Sequence, residues 1–362
     1  MVKRALWITC GPRGNAGDAL LHEVTRALFD GLVELDFRHV SDAAYLRRGD
    51  KRTDNVIIGP GGLFVQTNSS RHLHAKLAKQ WDEFERKTFF LWSTGVLQQP
   101  TEDEAAAVRR VTSRARRIVV RATKEAELLR KIGPVTDPEW APCASLFTDR
   151  LLDVPNRTRD VVVVNLDGFL FTAENAATHP LRRFARHANA QGLEVRSMVN
   201  ASGDFNPWLL DLFPPIEIDA ARFKAALDPS LPGPEFHRRF NEALAAHPSY
   251  GARYTDCRFA FGKRLHGWLP FLAFDKPAAF VGMQARRGMP RDYFGDDTFL
   301  CAVPRRNPMS QAQLDATADG MIAKLDEFVA HEDVLAARVA ERREELWVQL
   351  QGQARALADA LV

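Results

Sequence analysis

Short apolar runs alternate with amphipathic stretches along the first third of the chain. "RALWITCG" is a continuous apolar run of strand length, and "GDALLHEVTRALFDGL" then puts Leu20, Leu21, Val24, Leu28 and Leu32 on one helical face. "NVIIG", "TFFLWSTG" and "RRIVV" predict further strands, while "HLHAKLAKQWDEFER" and "TEDEAAAVRRVTSRA" predict helices, the second capped by Thr101. Strands alternating with helices imply βαβ units and a parallel sheet. The alternation pauses over residues 136–160, where Pro138, Pro142, Pro155 and Asn156 suggest a connection. A second series starts at "DVVVVNLDG". It continues through a helical "PLRRFARHANAQG" and strand-like "LEVRSMVN", "CRFAFG", "PAAFVG" and "FLCAVP". Residues 204–250 carry more proline and aromatic residues and no clear period, and from Ser310 onward the chain reads as helix. The predicted fold class is α/β, with two Rossmann-like domains facing a cleft. Residues 1–150 and 151–310 form the two domains, and 311–362 form helices packing on them.

Composition narrows this picture. A chain of 362 residues fits two domains, and 46% hydrophobic with 26% charged residues is a globular balance. The net charge of +3 is too small to point to nucleic acid. The basic runs "RRVTSRARR" and "ARRGMPRDYFG" have too few interleaved aromatics for a nucleic-acid surface and read as solvated faces. Cys10, Cys143, Cys257 and Cys301 form no CxxC pair and no metal spacing, which fits core thiols in a reducing cytosol. "MVKRALWITCGPRGN" lacks a long apolar region and reads as a first strand, not a signal peptide. No apolar stretch reaches the roughly 18 residues that span a bilayer. The expectation is a cytoplasmic protein, with work at the inner face of a membrane left open, as is a homo-oligomer.

Ligands of open α/β sheets bind outside the carboxyl ends of the strands, so chemistry is sought at strand-to-helix junctions. "GPRGNAGDALL" spaces Gly11, Gly14 and Gly17 as GxxGxxG, which is neither a dinucleotide fingerprint nor a P-loop. Either its helix amides cradle an anion or a sugar hydroxyl, or the glycines only make a tight turn; Asn15 or Asp18 can cap the helix. "IIGPGGLFVQ" is a second such turn, with Gly59, Gly61 and Gly62. "GKRLHG" sets Lys263, Arg264 and His266 at the mouth of the apolar run "WLPFLAF".

In order and spacing, these pieces resemble the polysaccharide pyruvyl transferase family over most of residues 8–282. The matching elements are Gly14-Asn15-Ala16-Gly17-Asp18 for the "GNxGD" element and Gly59-Pro60-Gly61-Gly62 for the glycine turn. Arg121 matches the arginine closing a mid-chain strand, and Arg264-Leu265-His266 through Val281 match "RLH" and its following strand. The chain departs from the family where Arg121 is followed by Ala122-Thr123-Lys124-Glu125 and where Pro60 replaces a glycine. The resemblance implies the two-domain architecture of GT-B glycosyltransferases with the active site in the interdomain cleft. It implies transfer of pyruvate from phosphoenolpyruvate, as donor substrate and with no cofactor or metal, to a sugar or lipid-linked glycan. It further implies that Arg264, Leu265, His266 and an arginine of the first domain, Arg121, contact that donor.

The residue chemistry agrees with such a donor. Arg264 can pair bidentately with a carboxylate or phosphate; Lys263, if residues 262–266 are extended, faces the other way. A helix starting near Gly267 would add its free amides. His266, with an ordinary pKa about 6.5, suits proton delivery to the vinyl carbon. Asn15, Gly17, Asp18, Gly61 and Gly62 are the remaining substrate-binding candidates, Asp18 either binding an acceptor hydroxyl or only capping. The alternatives are a nucleotide-sugar-dependent GT-B glycosyltransferase and a non-catalytic partner in polysaccharide assembly. His22, His72 and His74 lie on helical patterns and read as surface or packing residues.

Overall fold

The computed structural model describes residues 2–10, 15–40, 54–64, 87–96, 101–133, 136–166, 178–200, 212–216, 235, 239, 251–282, 288–303 and 309–362. The helix expected over residues 72–86, most of 204–250, Gly11, Gly14, His72 and His74 lie outside these residues. Two compact units are present. One comprises Met1–Gly11, Leu21–Ala144 and Glu344–Val362; the other comprises Pro12–Leu20 and Ser145–Arg343. The change of unit thus falls inside the proline-marked connection. The helical tail expected over 311–362 is divided between the units.

The first unit is built on strands β1 (Lys3–Thr9), β2 (Val33–His39), β3 (Asn55–Ile58), β5 (Thr88–Leu91), β7 (Ala115–Val120) and β8 (Glu139–Trp140), ordered β2-β1-β3-β5-β7-β8. Every pairing in it is parallel. Two short strands beyond the main ladder, β4 (Gly61–Phe64) and β6 (Thr94–Val96), pair with each other, also in parallel. Helices α1 (Ala16–Leu28), of which only the part from Leu21 falls in this unit, α2 (Glu102–Thr112) and α3 (Thr123–Ile132) supply the connections seen here. Leu6, Ile8, Val56, Phe89 and Ile118 of the strands form one core with Val108 and Val111 of α2 and Leu129 of α3. Burial on both faces explains why these strands read as unbroken apolar runs. Thr101 caps α2 in a capping box with Glu104. β2 was not legible in its mixed "VELDFRH", since only Val33 of that strand is fully buried.

The second unit has strands β9 (Val161–Asn165), β10 (Glu194–Ser197), β11 (Phe259–Gly262), β12 (Ala278–Gly282) and β13 (Leu300–Ala302), ordered β10-β9-β11-β12-β13 and again all parallel. Its helices are α4 (Thr148–Leu151), α5 (Leu181–Ala190), α6 (Leu269–Leu272), α7 (Met289–Phe294), α8 (Gln311–Ala330) and the start of α9 (Glu332–Ala360). Arg183 and His187 of α5 pair with Asp315, Asp319 and Asp326 of α8. Arg343 of α9, buried, holds Asp149 and Asp275.

The end of α9 belongs to the first unit. Lys3 Nζ donates to the Leu361 carbonyl at 2.6 Å, and the Asn55 side chain exchanges two 2.9 Å hydrogen bonds with the Val362 backbone. Among the described residues, no helix is long and apolar enough to cross a membrane, and no group of three or more His, Cys, Asp or Glu side chains could hold a metal ion.

Candidate functional site

In each sheet the strand order reverses once. In the second unit β9 is followed on one side by β10 and on the other by β11, so the switch point is the β9/β11 carboxyl edge. A crevice for a ligand opens at such a point because the two crossover connections leave in opposite directions. Asn165 ends β9 and Gly262 ends β11, with Lys263 N–H donating to the Asn165 carbonyl at 2.8 Å. The "RLH" residues therefore leave the sheet at its switch point.

The chain then folds back on itself. Leu265–Gly267 form one 3-10 turn, and α6 spans only four residues, with Pro270 in its first turn. Residues 262–266 are not extended throughout, which corrects the condition under which strand alternation would orient Lys263. A helix does start near Gly267, but it is only the four-residue α6. The cause lies in the two glycines of "GKRLHG". A Cβ on Gly262 would collide with the Gly267 carbonyl, and one on Gly267 with the Asn165 amide. The turn can close this tightly only because both are absent. Lys263 and Arg264 are half-buried, while Leu265 and His266 are buried.

The "GNAGD" element belongs to the same unit. Asn15 Oδ1 accepts the Asp18 N–H at 2.8 Å, so Asn15 is the cap of α1, and the Asn15 amide donates in return to the Asp18 carboxylate. Ala16 N–H donates to the Asn200 carbonyl at 2.7 Å. Gly17 faces His266 directly: a Cβ there would lie 2.8 Å from both Cβ and Nδ1 of the histidine. Asn15, Gly17, Asp18, Lys263, Arg264, Leu265 and His266 thus share one location.

Four residues close this location from behind. Tyr254 Oη donates to the His266 carbonyl at 2.8 Å, and the Asn200 side chain donates to it at 3.2 Å. The Arg253 guanidinium donates to Asn200 Oδ1 at 3.2 Å. Asn165 Nδ2 donates to the Met198 carbonyl at 2.7 Å, while its buried Oδ1 has no partner among the described residues. Sequence reasoning passed over all four. For Asn165 and Asn200 a signal existed, since each is a polar residue closing an apolar run, in "VVVVN" and "MVN". Arg253 and Tyr254 had none, because their 3-10 turn borders the aperiodic middle of the chain.

The other candidates lie in the first unit. Gly59–Gly61 follow β3 at that sheet's own switch point, where the Gly59 N–H donates to the Ile8 carbonyl at 2.9 Å and Thr9 Oγ1 to the Pro60 carbonyl at 2.8 Å. The Gly59–Pro60 peptide is cis. Gly61 is buried and Gly62 half-buried. Arg121 directly follows β7 and is 1% exposed, so it is not one of the surface arginines of its neighbourhood. Glu125, one helical turn on and equally buried, lies 3.6 Å from Arg121 Nε. The guanidinium rests against Gly95, where any Cβ would collide with Nη2. Ser93, two residues before Gly95, holds a left-handed φ of 49°, and its buried hydroxyl has no partner among the described residues. Gly95 and Ser93 are additions that the sequence reading did not make.

His22 packs, as one of its two readings had it. Its ring stacks on Trp7 with centroids 4.6 Å apart, and burial holds its imidazole below the ordinary 6.5. Burial likewise pushes the Cys257 thiol up to about 12 and the Cys301 thiol to about 11, as befits core residues.

No protein-family model and no curated protein sequence matches the chain. Solved structures do match its fold. S. aureus MnaA, in a co-structure with UDP, superposes with a TM-score of 0.50 at 9% identity, over 94% of this chain and 91% of that one. A Listeria monocytogenes protein described as a UDP-N-acetylglucosamine 2-epimerase gives 0.53 at 8% identity, over the same 94% and 91%. The fold is thus α/β of the GT-B kind, with two Rossmann-like units built on parallel sheets.

Proposed function

We propose that this chain is a transferase that moves a group from a phosphate-bearing donor onto a sugar hydroxyl, and that the donor is phosphoenolpyruvate. One observation carries the reading: His266 of "RLH" stands against Gly17 of "GNAGD", although the two motifs are far apart in sequence. Both motifs resemble elements of pyruvyl transferases in sequence, and their apposition is what one shared substrate site requires. In this reading Arg264 clamps a carboxylate or phosphate, and His266 protonates the vinyl carbon of the donor. The acceptor hydroxyl attacks the cationic carbon so formed, a second hydroxyl displaces inorganic phosphate, and a ketal remains. Asp18 and the first turn of α1 are candidates to orient the acceptor.

A second reading has a specific observation in its favour. The solved structures of like fold carry UDP or the name of a UDP-sugar enzyme, which supports a nucleotide-sugar donor better than pyruvyl transfer. We put pyruvyl transfer first because a fold hosts many chemistries and function follows the residues of the site.

The deciding experiment offers phosphoenolpyruvate, UDP and UDP-N-acetylglucosamine separately to wild type, His266→Ala and Arg264→Ala. Calorimetric binding and phosphate release with a panel of sugar diols are followed. Phosphoenolpyruvate binding that Arg264→Ala weakens, with turnover that His266→Ala removes from a folded protein, supports the reading. Binding of the uridine compounds alone overturns it in favour of the nucleotide-sugar enzyme, and binding of neither leaves the non-catalytic partner.

A further inference from the structure

Asn200 touches both turns of the second unit's site, each with a different group. Its backbone carbonyl accepts the Ala16 N–H at 2.7 Å, and its side-chain Nδ2 donates to the His266 carbonyl at 3.2 Å. Its Oδ1 accepts from Arg253 Nη1 at 3.2 Å, and Arg253 Nη2 donates to the neighbouring Val199 carbonyl at 2.6 Å. The orientation of the amide is forced. A guanidinium can only donate and a backbone carbonyl can only accept, so Oδ1 must face Arg253 and Nδ2 must face His266. Tyr254 Oη engages the second lone pair of the same carbonyl at 2.8 Å. A carbonyl at the end of a single 3-10 turn has no partner within the turn, so these two donors are what hold it. Asn200, Arg253, Tyr254 and His266 are all buried, where an unmade hydrogen bond is most costly.

We infer that Asn200 is the positioning residue that registers His266 against Gly17, with Tyr254 as the second donor and Arg253 locking the amide. The two donors fix the plane of the His266–Gly267 peptide, and with it the direction in which the imidazole leaves the backbone. Without them the turn keeps its own bonds, Gly267 N–H to the Arg264 carbonyl and Trp268 N–H to the Leu265 carbonyl, but the His266–Gly267 peptide loses the two donors that set its plane. A shift of about 1 Å at a reacting group costs on the order of 100-fold in rate. The inference deepens the pyruvyl-transfer reading, and only its kinetic consequence rests on that reading.

Two conservative variants test it. Asn200→Asp keeps the acceptor for Arg253 and loses the donor to His266. Tyr254→Phe keeps the ring, which packs edge-on against Phe271 at 5.0 Å, and loses only the hydroxyl. Each variant is measured for thermal unfolding, for the ¹⁵N and ¹H signals of the His266 ring (assigned with His266→Gln) and for kcat and KM with phosphoenolpyruvate. The expected result is a shift or broadening of the His266 ring signals in both folded variants. It comes with a kcat lowered roughly tenfold per lost donor and a KM within about twofold. Tyr254→Phe introduces no charge, so a ring shift there is not a charge effect. Unchanged ring signals in the folded variants overturn the inference, even if Tm falls. Should wild type not turn over phosphoenolpyruvate, the functional reading fails, and the ring signals still decide the role of Asn200.

Discussion

The Cβ that Gly17 lacks would stand 2.8 Å from Cβ and Nδ1 of His266 and 3.1 Å from Asn15 Oδ1. Real side chains essentially never approach so closely, so Gly17→Ala must displace the histidine turn or the first turn of α1. Overpacking of this kind costs about 1–3 kcal/mol. Gly17→Ala is expected to lose that much stability in urea unfolding and to lose turnover by a larger factor than the stability loss explains. A variant with wild-type turnover would show that the two turns do not need this spacing.

Glu125→Ala leaves the Arg121 guanidinium buried without the Glu125 carboxylate. Breaking a buried pair from one side costs about 3–5 kcal/mol, whereas Glu125→Gln keeps a polar partner and costs less. Urea midpoints of the two variants check the order. Equal, small losses would mean that water already solvates Arg121.

Ser93 combines a left-handed backbone with a buried hydroxyl that has no partner among the described residues, and both features cost free energy. Glycine adopts that φ without strain and brings no hydroxyl. Ser93→Gly is expected to raise stability by about 1 kcal/mol, after the greater chain entropy of glycine is subtracted. A lowered Tm would reveal a hydrogen-bond partner for Ser93, such as a buried water.

His22 should make the protein acid-sensitive. Burial lowers its folded pKa below the unfolded 6.5, with Glu23 opposing and Arg26 reinforcing the shift. Below pH 6.5 the unfolded chain then binds a proton that the folded one refuses, so its contribution is fully present above 6.5 and falls as pH drops toward the folded value. Stability measured from pH 8 to pH 5 is expected to decline more steeply in wild type than in His22→Gln. Parallel declines would place the acid sensitivity elsewhere.

The α/β class and the strands β1, β3, β5, β7, β9, β11 and β12 were legible because burial on both faces leaves an unbroken apolar run. β2 was not, because its residues are only half-buried. In the candidate site, the motif residues Asn15, Gly17, Asp18, Arg264 and His266 could be named in advance. Their common location could not, since a 3-10 turn and a tight glycine approach leave no periodic signal. Asn165 and Asn200 showed in sequence only as polar residues closing apolar runs, and Arg253 and Tyr254 showed not at all. All four act through hydrogen bonds or close contacts to backbone or to one another, which ask nothing of the residues around them in sequence.

The last residues of α9 lie on the first strands, while residues 145–343 make up most of the other unit. Translation therefore delivers the strands of the first unit and then withholds their final partner until about two hundred further residues have been made. At about 5–20 residues per second that interval is roughly 10–40 s. All of the second unit's residues are made while the amide of Asn55 still waits for Val362, so the strands of the first unit are the earlier made and the later completed.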